Sequence, residues 1–267
     1  MIGDVVRLEL RRSRALAVWL GLIVLLYGAF MAAFYPIIRD NMRLLDEYMA
    51  VFPKPLMAAF GLEGSLSNHG VFFNTYIGGM LWPVVAGMAG GILGTRTVAA
   101  DLDRGFLELP LATRIDRVGY LVAAIAGQVV VIAILSVAVM AGILVVGAVV
   151  GAGFDSGRFL LEVPLLFVFG CAVTALATLV SVITLSRGVS AGVVAATLLA
   201  MYLLDAVSKF EASLDWLGLF SAFRYLRATA AIDQGIAPAG EMALFGILAV
   251  GLWALAVWLF RTRDLVA

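Results

Sequence analysis

Charge is scarce in this chain. Of its 267 residues, 18 are Lys or Arg and 18 are Asp or Glu, and together they make only 13%, about half the share found in soluble globular domains. The balance is zero, so no global field draws the protein to nucleic acid and no such partner is expected. Cys171 is the sole cysteine, which excludes an intrachain disulfide; it sits in an apolar run, where a free thiol packs as a small hydrophobe. His69 is the sole histidine and cannot build a His-rich metal site. No G-x-x-x-x-G-K-[ST] occurs, so the chain has no P-loop of its own, and G-x-S-x-G is also missing. No catalytic residue, metal ligand or cofactor-binding residue is assigned. The glycine cluster Gly87–Gly94 lies inside an apolar run, where it permits close helix contact rather than phosphate binding.

What is abundant is apolar surface. Hydrophobic residues make up 63% of the chain, more than a soluble core of this size can bury, so the excess must face lipid or the inside of a lipid-embedded bundle. Stretches free of Asp, Glu, Lys and Arg place spans at about residues 15–38, 71–95, 118–150, 163–186, 188–206 and 242–260, within a single transmembrane domain covering 1–267. Continuous runs argue for helices over barrel strands, which would alternate. The expectation is an all-α integral membrane protein with six transmembrane helices. The third run is too long for one plain span: it is either a tilted helix projecting from the membrane or a helix followed by a turn at Gly147, Gly151 and Gly153. The first run lacks a small-residue cleavage site and is expected to persist as a span.

Placing the N-terminus inside puts eleven Arg in inner segments: Arg7, Arg11, Arg12, Arg14, Arg96, Arg104, Arg114, Arg117, Arg187, Arg261 and Arg263. Seven basic residues then fall outside: Arg39, Arg43, Lys54, Arg158, Lys209, Arg224 and Arg227. That asymmetry predicts both termini in the cytoplasm. The spans carry no interior acid, and Asp205 stands at a span end. An intramembrane acidic relay of the kind used by ion-coupled carriers is therefore not expected, and any driving force must come from outside the chain.

The segments between the spans carry the rest. Residues 1–14 interleave Val5, Val6, Leu8 and Leu10 with four Arg, the pattern of a short interfacial helix. In the first outer loop Met42, Leu45 and Met49 share a helical face before Pro53 and Pro55. His69, at the mouth of the second span, reads as a surface or satisfied interfacial histidine. Residues 96–117 mix four Arg and four acids with Phe106, Leu107, Leu109, Leu111 and Ile115. This pattern fits equally a helix exposing a docking face and a loop folded against the bundle. Residues 205–241 are too apolar for a free loop and too charged for a span, which predicts an interfacial or re-entrant segment with Trp216 and Tyr225 at headgroup depth.

Three features together resemble the membrane subunit of bacterial ATP-binding-cassette exporters of the type-two permease superfamily. The first is the six-span plan with its basic N-terminal segment and large first outer loop. The second is the inner loop with Asp103, Gly105, Leu107-Glu108-Leu109, Leu111-Ala112-Thr113 and Arg117. The third is the ending Phe260-Arg261-Thr262-Arg263-Asp264-Leu265. Phe220-Ser221-Ala222-Phe223-Arg224-Tyr225 is similar to that family's Ser-Pro-Phe-x-Tyr segment, with Ala222 in place of Pro. The proline usual before the loop's closing Arg is also missing.

The resemblance implies a permease that moves its substrate out of the cytoplasm across the bacterial cell membrane. ATP would be bound and hydrolysed by a separate ABC ATPase subunit, and two permease copies would work as a pair. The inner loop would be a coupling helix seated in a groove of the ATPase. Phe106, Leu107 and Leu109 would anchor it, with Asp103, Arg104, Glu108 and Arg114 as the polar rim. Asn74, Thr75, Tyr76 and Gln128 form a candidate translocation path, apolar with a few hydrogen-bonding groups. Such a path suits an amphipathic drug, peptide or lipid-like molecule. Each of these four also reads singly as a helix–helix contact. Two other classes remain open from sequence: a membrane enzyme acting on lipid headgroups, for which Asp101 and Asp103 are the available acids, and a non-transporting assembly or sensor subunit.

Overall fold

A computed structural model describes residues 2–41, 51, 57, 66, 68–100, 117–226 and 229–262. The amphipathic stretch at Met42, Leu45 and Met49 and the loop residues 101–116 lie outside them. Among the described residues the regular secondary structure is all helix, with no strand, and six helices are long and apolar enough to cross a membrane. In hydrocarbon each backbone N–H and C=O must find its partner within the segment, which the helix alone provides for an isolated span.

Helix α1 covers Ile2–Asp40. Helix α2 is one continuous rod from His69 to Ala100, built of α-helical His69–Phe73, π-helical Asn74–Leu81, α-helical Trp82–Thr95 and π-helical Arg96–Ala100. Helix α3 is Arg117–Val149, a short α4 is Ser156–Leu160, and α5 is Glu162–Thr184. Helix α6 is Arg187–Ser208. Three short pieces follow: 3-10 turns at Ala212–Leu214 and Ala222–Tyr225, and α7 at Asp215–Gly218. Helices α8 (Thr229–Gln234) and α9 (Ala239–Thr262) complete the chain.

The basic N-terminal segment is not a separate interfacial helix. It continues without a break into the first span, because nothing between Arg14 and Leu20 interrupts a helix and Glu9 is drawn inward. The third run resolves as a helix followed by a turn. Helix α3 stops at Val149, and Gly151 and Gly153 take left-handed φ of 64° and 76°, a conformation that side chains resist. At the other end of the bundle α5 closes on Leu185 at φ 53°, whose N–H donates to the Ser181 carbonyl. That turn lets α6 begin two residues later.

The π-helical stretch Asn74–Leu81 has a local cause. Pro83 lacks an N–H and its ring crowds the carbonyl four residues back, so the widened turns just upstream relieve the clash. The fully buried Trp82 uses the same place to donate its indole N–H to the Leu166 carbonyl of α5 at 2.8 Å.

Helix α5 is the centre of the bundle and packs on α2, α9, α3 and α6. The most extensive pair is α1 with α3, and their backbones meet at small residues. A Cβ on Gly28 would lie 2.5 Å from the Val139 carbonyl oxygen, and one on Gly142 would run into the Leu25 carbonyl oxygen. At the His69 end, the rings of Tyr35, His69, Phe72, Phe73, Phe154 and Phe159 interlock, mostly tilted or edge-on, and tie α1, α2 and α4 together. His69 stacks on Tyr35 at 4.6 Å and its Nε2 lies 3.3 Å from the Ala152 carbonyl, so it is a packed, partnered residue. The segment between α6 and α9 is folded onto the same end. Ser221 donates to the Met201 carbonyl, and Arg224 grips Asp215 with two hydrogen bonds of 2.7 and 3.0 Å, which raise the guanidinium's pKa above its ordinary value. Trp216 and Phe220 stay exposed and pack edge-on, as expected at headgroup depth.

Replacing Gly142 by Val should open the α1–α3 crossing and cost about 2–3 kcal/mol by overpacking. Gly91→Ala, where a Cβ meets nothing within 4 Å, should leave stability unchanged. Thermal unfolding in detergent, followed by circular dichroism, distinguishes the two; equal midpoints would show that the crossing is not tight.

Candidate functional site

Two features of the bundle carry chemistry: a groove along α2 and a polar cluster at its Arg96 end. The groove lies between α2 and α6 and encloses about 670 Å³. Met80, Val84 and Met88 form one wall and Leu198, Leu199 and Tyr202 the other, with Phe223 at the His69 end. The glycines of α2 divide between two faces. Gly90 and Gly94 are pressed on α5: a Cβ on Gly94 would sit 2.6 Å from the Thr178 backbone nitrogen. Gly79, Gly87 and Gly91 line the groove. One glycine-rich helix thus has a closed face and an open one. The opposing helix α6 is the least buried of the six spans, with 17% of its window inside the bundle, against 67% for the α4–α5 span.

The polar cluster begins with Arg96. Its guanidinium donates to Glu9 Oε1 at 2.5 Å, to Ser13 Oγ at 2.6 Å and to the Arg12 carbonyl at 3.2 Å. Glu9 and Ser13 are buried, and Gly127 of α3 leaves room for Glu9, since a Cβ there would lie 2.9 Å from its Cγ. Next to this ion pair, fully buried Gln128 of α3 donates to Thr97 Oγ1 at 2.6 Å and to the Leu93 carbonyl at 3.3 Å, and accepts from Thr178 of α5. Where α2 turns π-helical, its shifted backbone groups find Ser181 of α5, which accepts from the Ala99 N–H and donates to the Thr95 carbonyl. Val98 packs with Leu121, Leu179, Val182, Ala256 and Phe260. Helices α1, α2, α3, α5 and α9 therefore converge on the last turn of α2, immediately before residues 101–116.

These residues match a model of the ABC-2 family transporter protein over residues 8–265. The chain belongs to the ABC-2 transporter family. It is accordingly a transmembrane component of an ABC transporter, a class that works with an ATPase partner. No curated protein matches it.

The structure separates the four residues expected along the path of this ABC-2 permease. Asn74, Thr75 and Tyr76 belong to the π-helical stretch at the His69 end of α2; Thr75 is buried, and the Tyr76 ring packs tilted against Phe72 while its carbonyl accepts from the Tyr27 hydroxyl. Gln128 sits at the other end, roughly 28 Å away by helical rise from Asn74 to Leu93, and its amide is spent on helix contacts. None of the four lines the groove. The residues expected to couple to the ATPase, Asp103, Arg104, Phe106, Leu107, Glu108, Leu109 and Arg114, lie outside the described residues; the structure shows the helix ends on either side, Ala100 and Arg117.

Sequence reading missed two buried acids. Glu9 falls within the basic segment 1–14, and its partner is 87 residues away. Glu162, one residue before the fourth charge-free run, is fully buried, with neither carboxylate oxygen hydrogen-bonded among the described residues. It stands beside Gly78, whose Cβ would lie 3.7 Å from Glu162 Oε1 and 3.3 Å from Asn74 Oδ1.

Breaking the ion pair from one side should be costly, because the remaining charge stays buried. Glu9→Gln should destabilise the chain by about 3 kcal/mol, whereas Gln128→Leu, which removes only interhelical hydrogen bonds, should cost about 1 kcal/mol. A double-mutant cycle of Glu9→Gln with Arg96→Met, read by chemical denaturation, should return a coupling above 1 kcal/mol; additivity would mean that the pair contributes nothing.

Proposed function

We propose that this chain is the membrane subunit of an exporter that moves an amphipathic molecule out of the cytoplasm, using ATP hydrolysed by a separate cassette subunit. The observation that carries the reading is the coincidence of two structures on one helix. At one end α2 leads into the 101–116 loop from a stem gripped by four other helices. Along its length the same helix exposes a face of glycines and flexible apolar side chains. A push on the loop reaches the groove wall along one continuous helix.

In this reading the Arg96 end faces the cytoplasm. That agrees with the eleven-to-seven distribution of basic residues and with the arginines on α1. Two copies of the chain, set with their α2–α6 faces toward each other, enclose a path between them. Neither copy alone covers that path, since Met88 and Leu199 are 51% and 59% exposed. Rocking of the two halves then exposes the path alternately to either side. Apolar walls and few hydrogen-bonding groups favour a drug, peptide or lipid-like substrate over a highly charged polymer. Phe106, Leu107 and Leu109 are the anchor on the ATPase, rimmed by Asp103, Arg104, Glu108 and Arg114. Asn74 and Tyr76, at the His69 end, stand near the outer mouth, while Gln128 is assigned to holding the stem rather than to the path.

Two measurements test this. Leu107→Asp with Leu109→Asp should abolish co-purification of the cognate ATPase, and undiminished binding would remove the loop as the anchor. A cysteine at Met88, with the buried Cys171 changed to Ser, should cross-link two copies in membranes and block substrate-stimulated ATPase activity. If a cysteine at the lipid-exposed Val137 of α3 cross-links as readily, the pairing face is wrong.

A further inference from the structure

A second groove lies on the other side of the bundle, between the Arg96-end halves of α1 and α3, and encloses about 680 Å³. Its floor is made of small residues, Ala17 and Gly21 on α1 and Ala138 on α3. Its walls are the branched side chains around them, such as Leu22, Leu25 and Ile134. Arg11 and Arg14 line its mouth and are its only charged groups among the described residues. They are spaced three apart, so both project on the face of α1 that continues through Val18 and Leu22.

We propose that this groove holds one anionic phospholipid, with its phosphate between Arg11 and Arg14 and an acyl chain laid over Ala17, Gly21 and Ala138. Length supports this. From Arg14 to Leu25 the helix rises roughly 16 Å, which matches the depth of a single leaflet, about half of a 30 Å hydrocarbon core. Charge supports it too. Both arginines are exposed, and among the described residues neither has a carboxylate partner. Arg96, by contrast, is paired with Glu9. Two guanidinium groups above an apolar slot lack only an anion with a hydrocarbon tail.

A span of a second copy fits less well. In the described spans Glu9, Asp40 and Asp205 are already paired with Arg96, Arg39 and Lys209, and Glu162 is buried inside its own bundle. Glu241 stands in the first turn of α9 at the His69 end, and Asp4 lies about 10 Å of helical rise before Arg11, beyond the mouth of the groove. A packed helix would therefore leave the arginines facing hydrocarbon without a counter-charge. The groove also differs in kind from the α2–α6 groove, which no charged residue lines among the described residues.

The test is native mass spectrometry of the intact transporter, reconstituted in an equal mixture of phosphatidylglycerol and phosphatidylcholine and released from detergent. Wild type should retain phosphatidylglycerol in preference to phosphatidylcholine. Arg11→Gln with Arg14→Gln should reduce that preference by about thirtyfold, roughly fivefold for each arginine, while Arg11→Lys with Arg14→Lys keeps most of it. Ala17→Leu with Ala138→Leu, which fills the floor but leaves the charges, should lower retention of both lipids. Unchanged preference in the Gln pair would overturn the proposal. So would ready disulfide formation between copies carrying cysteine at Leu22, which would show the groove filled by protein.

Discussion

The ion pair between Arg96 and Glu9 is the constraint on which the rest of this bundle is arranged. An arginine inside a membrane protein is costly unless its hydrogen-bonding groups are met, and here three donated bonds, which leave the guanidinium Nε without a partner among the described residues, draw the start of α1 against the end of α2. The neighbouring bond of Gln128 to Thr97 extends the same polar seam into α3. Once Glu9 is committed, α1 cannot lie flat on the membrane surface, and its 39 residues run as one helix. Gly127 then has to be small, and α3 comes close enough for its backbone to touch α1 further along, at Gly28 and Gly142.

Packing along α2 follows a different rule. Without a hydrophobic force between helices in lipid, association depends on close backbone approach and on polar contacts. The α2–α5 contact has both: Gly90 and Gly94 sit against the α5 backbone, and Trp82 and Ser181 cross-link the helices near either end. The α2–α6 contact has neither along its middle, and there the groove opens. The same helix is therefore rigidly joined on one side and only loosely met on the other. The distribution of glycines alone does not decide this; what decides it is which of them faces Thr174 and Thr178 and which faces Leu198.

Much of this architecture is legible in the sequence because hydrocarbon is an unforgiving solvent. Six runs without charge give six spans, and the helices differ from those runs chiefly in extending past them into charged residues. Glycine at 151 and 153 announces the turn after α3. What could not be read is pairing over distance. Glu9 carries the same local signature as a surface acid, and only Arg96 makes it a buried one. Glu162 falls at the edge of an apolar run, so its burial depends on how α5 meets the π-helical stretch of α2. Asn74 and Gln128 look alike as lone polar residues in apolar runs, yet one belongs to the outer turn of α2 and the other to the seam at its foot. The π-helical stretches carry only an indirect sign, the proline at 83.

The placement of these two π-helical stretches bears on how motion could travel. They bracket the α-helical middle of α2, Trp82–Thr95, which carries both the glycines packed on α5 and most of what α2 contributes to the groove. A π turn has backbone groups out of the regular ladder, and these are available to outside partners. At the foot Ser181 takes them. At the other end the stretch faces Glu162 and the carbonyl of Leu226 across Gly78. The middle of α2 can therefore shift as a unit with α5 while its ends adjust. A force applied at residues 101–116 would move the groove wall and the turn beside Glu162 together. Coupling of that kind requires a rod with fixed contacts along one face and deformable turns at its ends, and α2 is the helix among the described residues that has both.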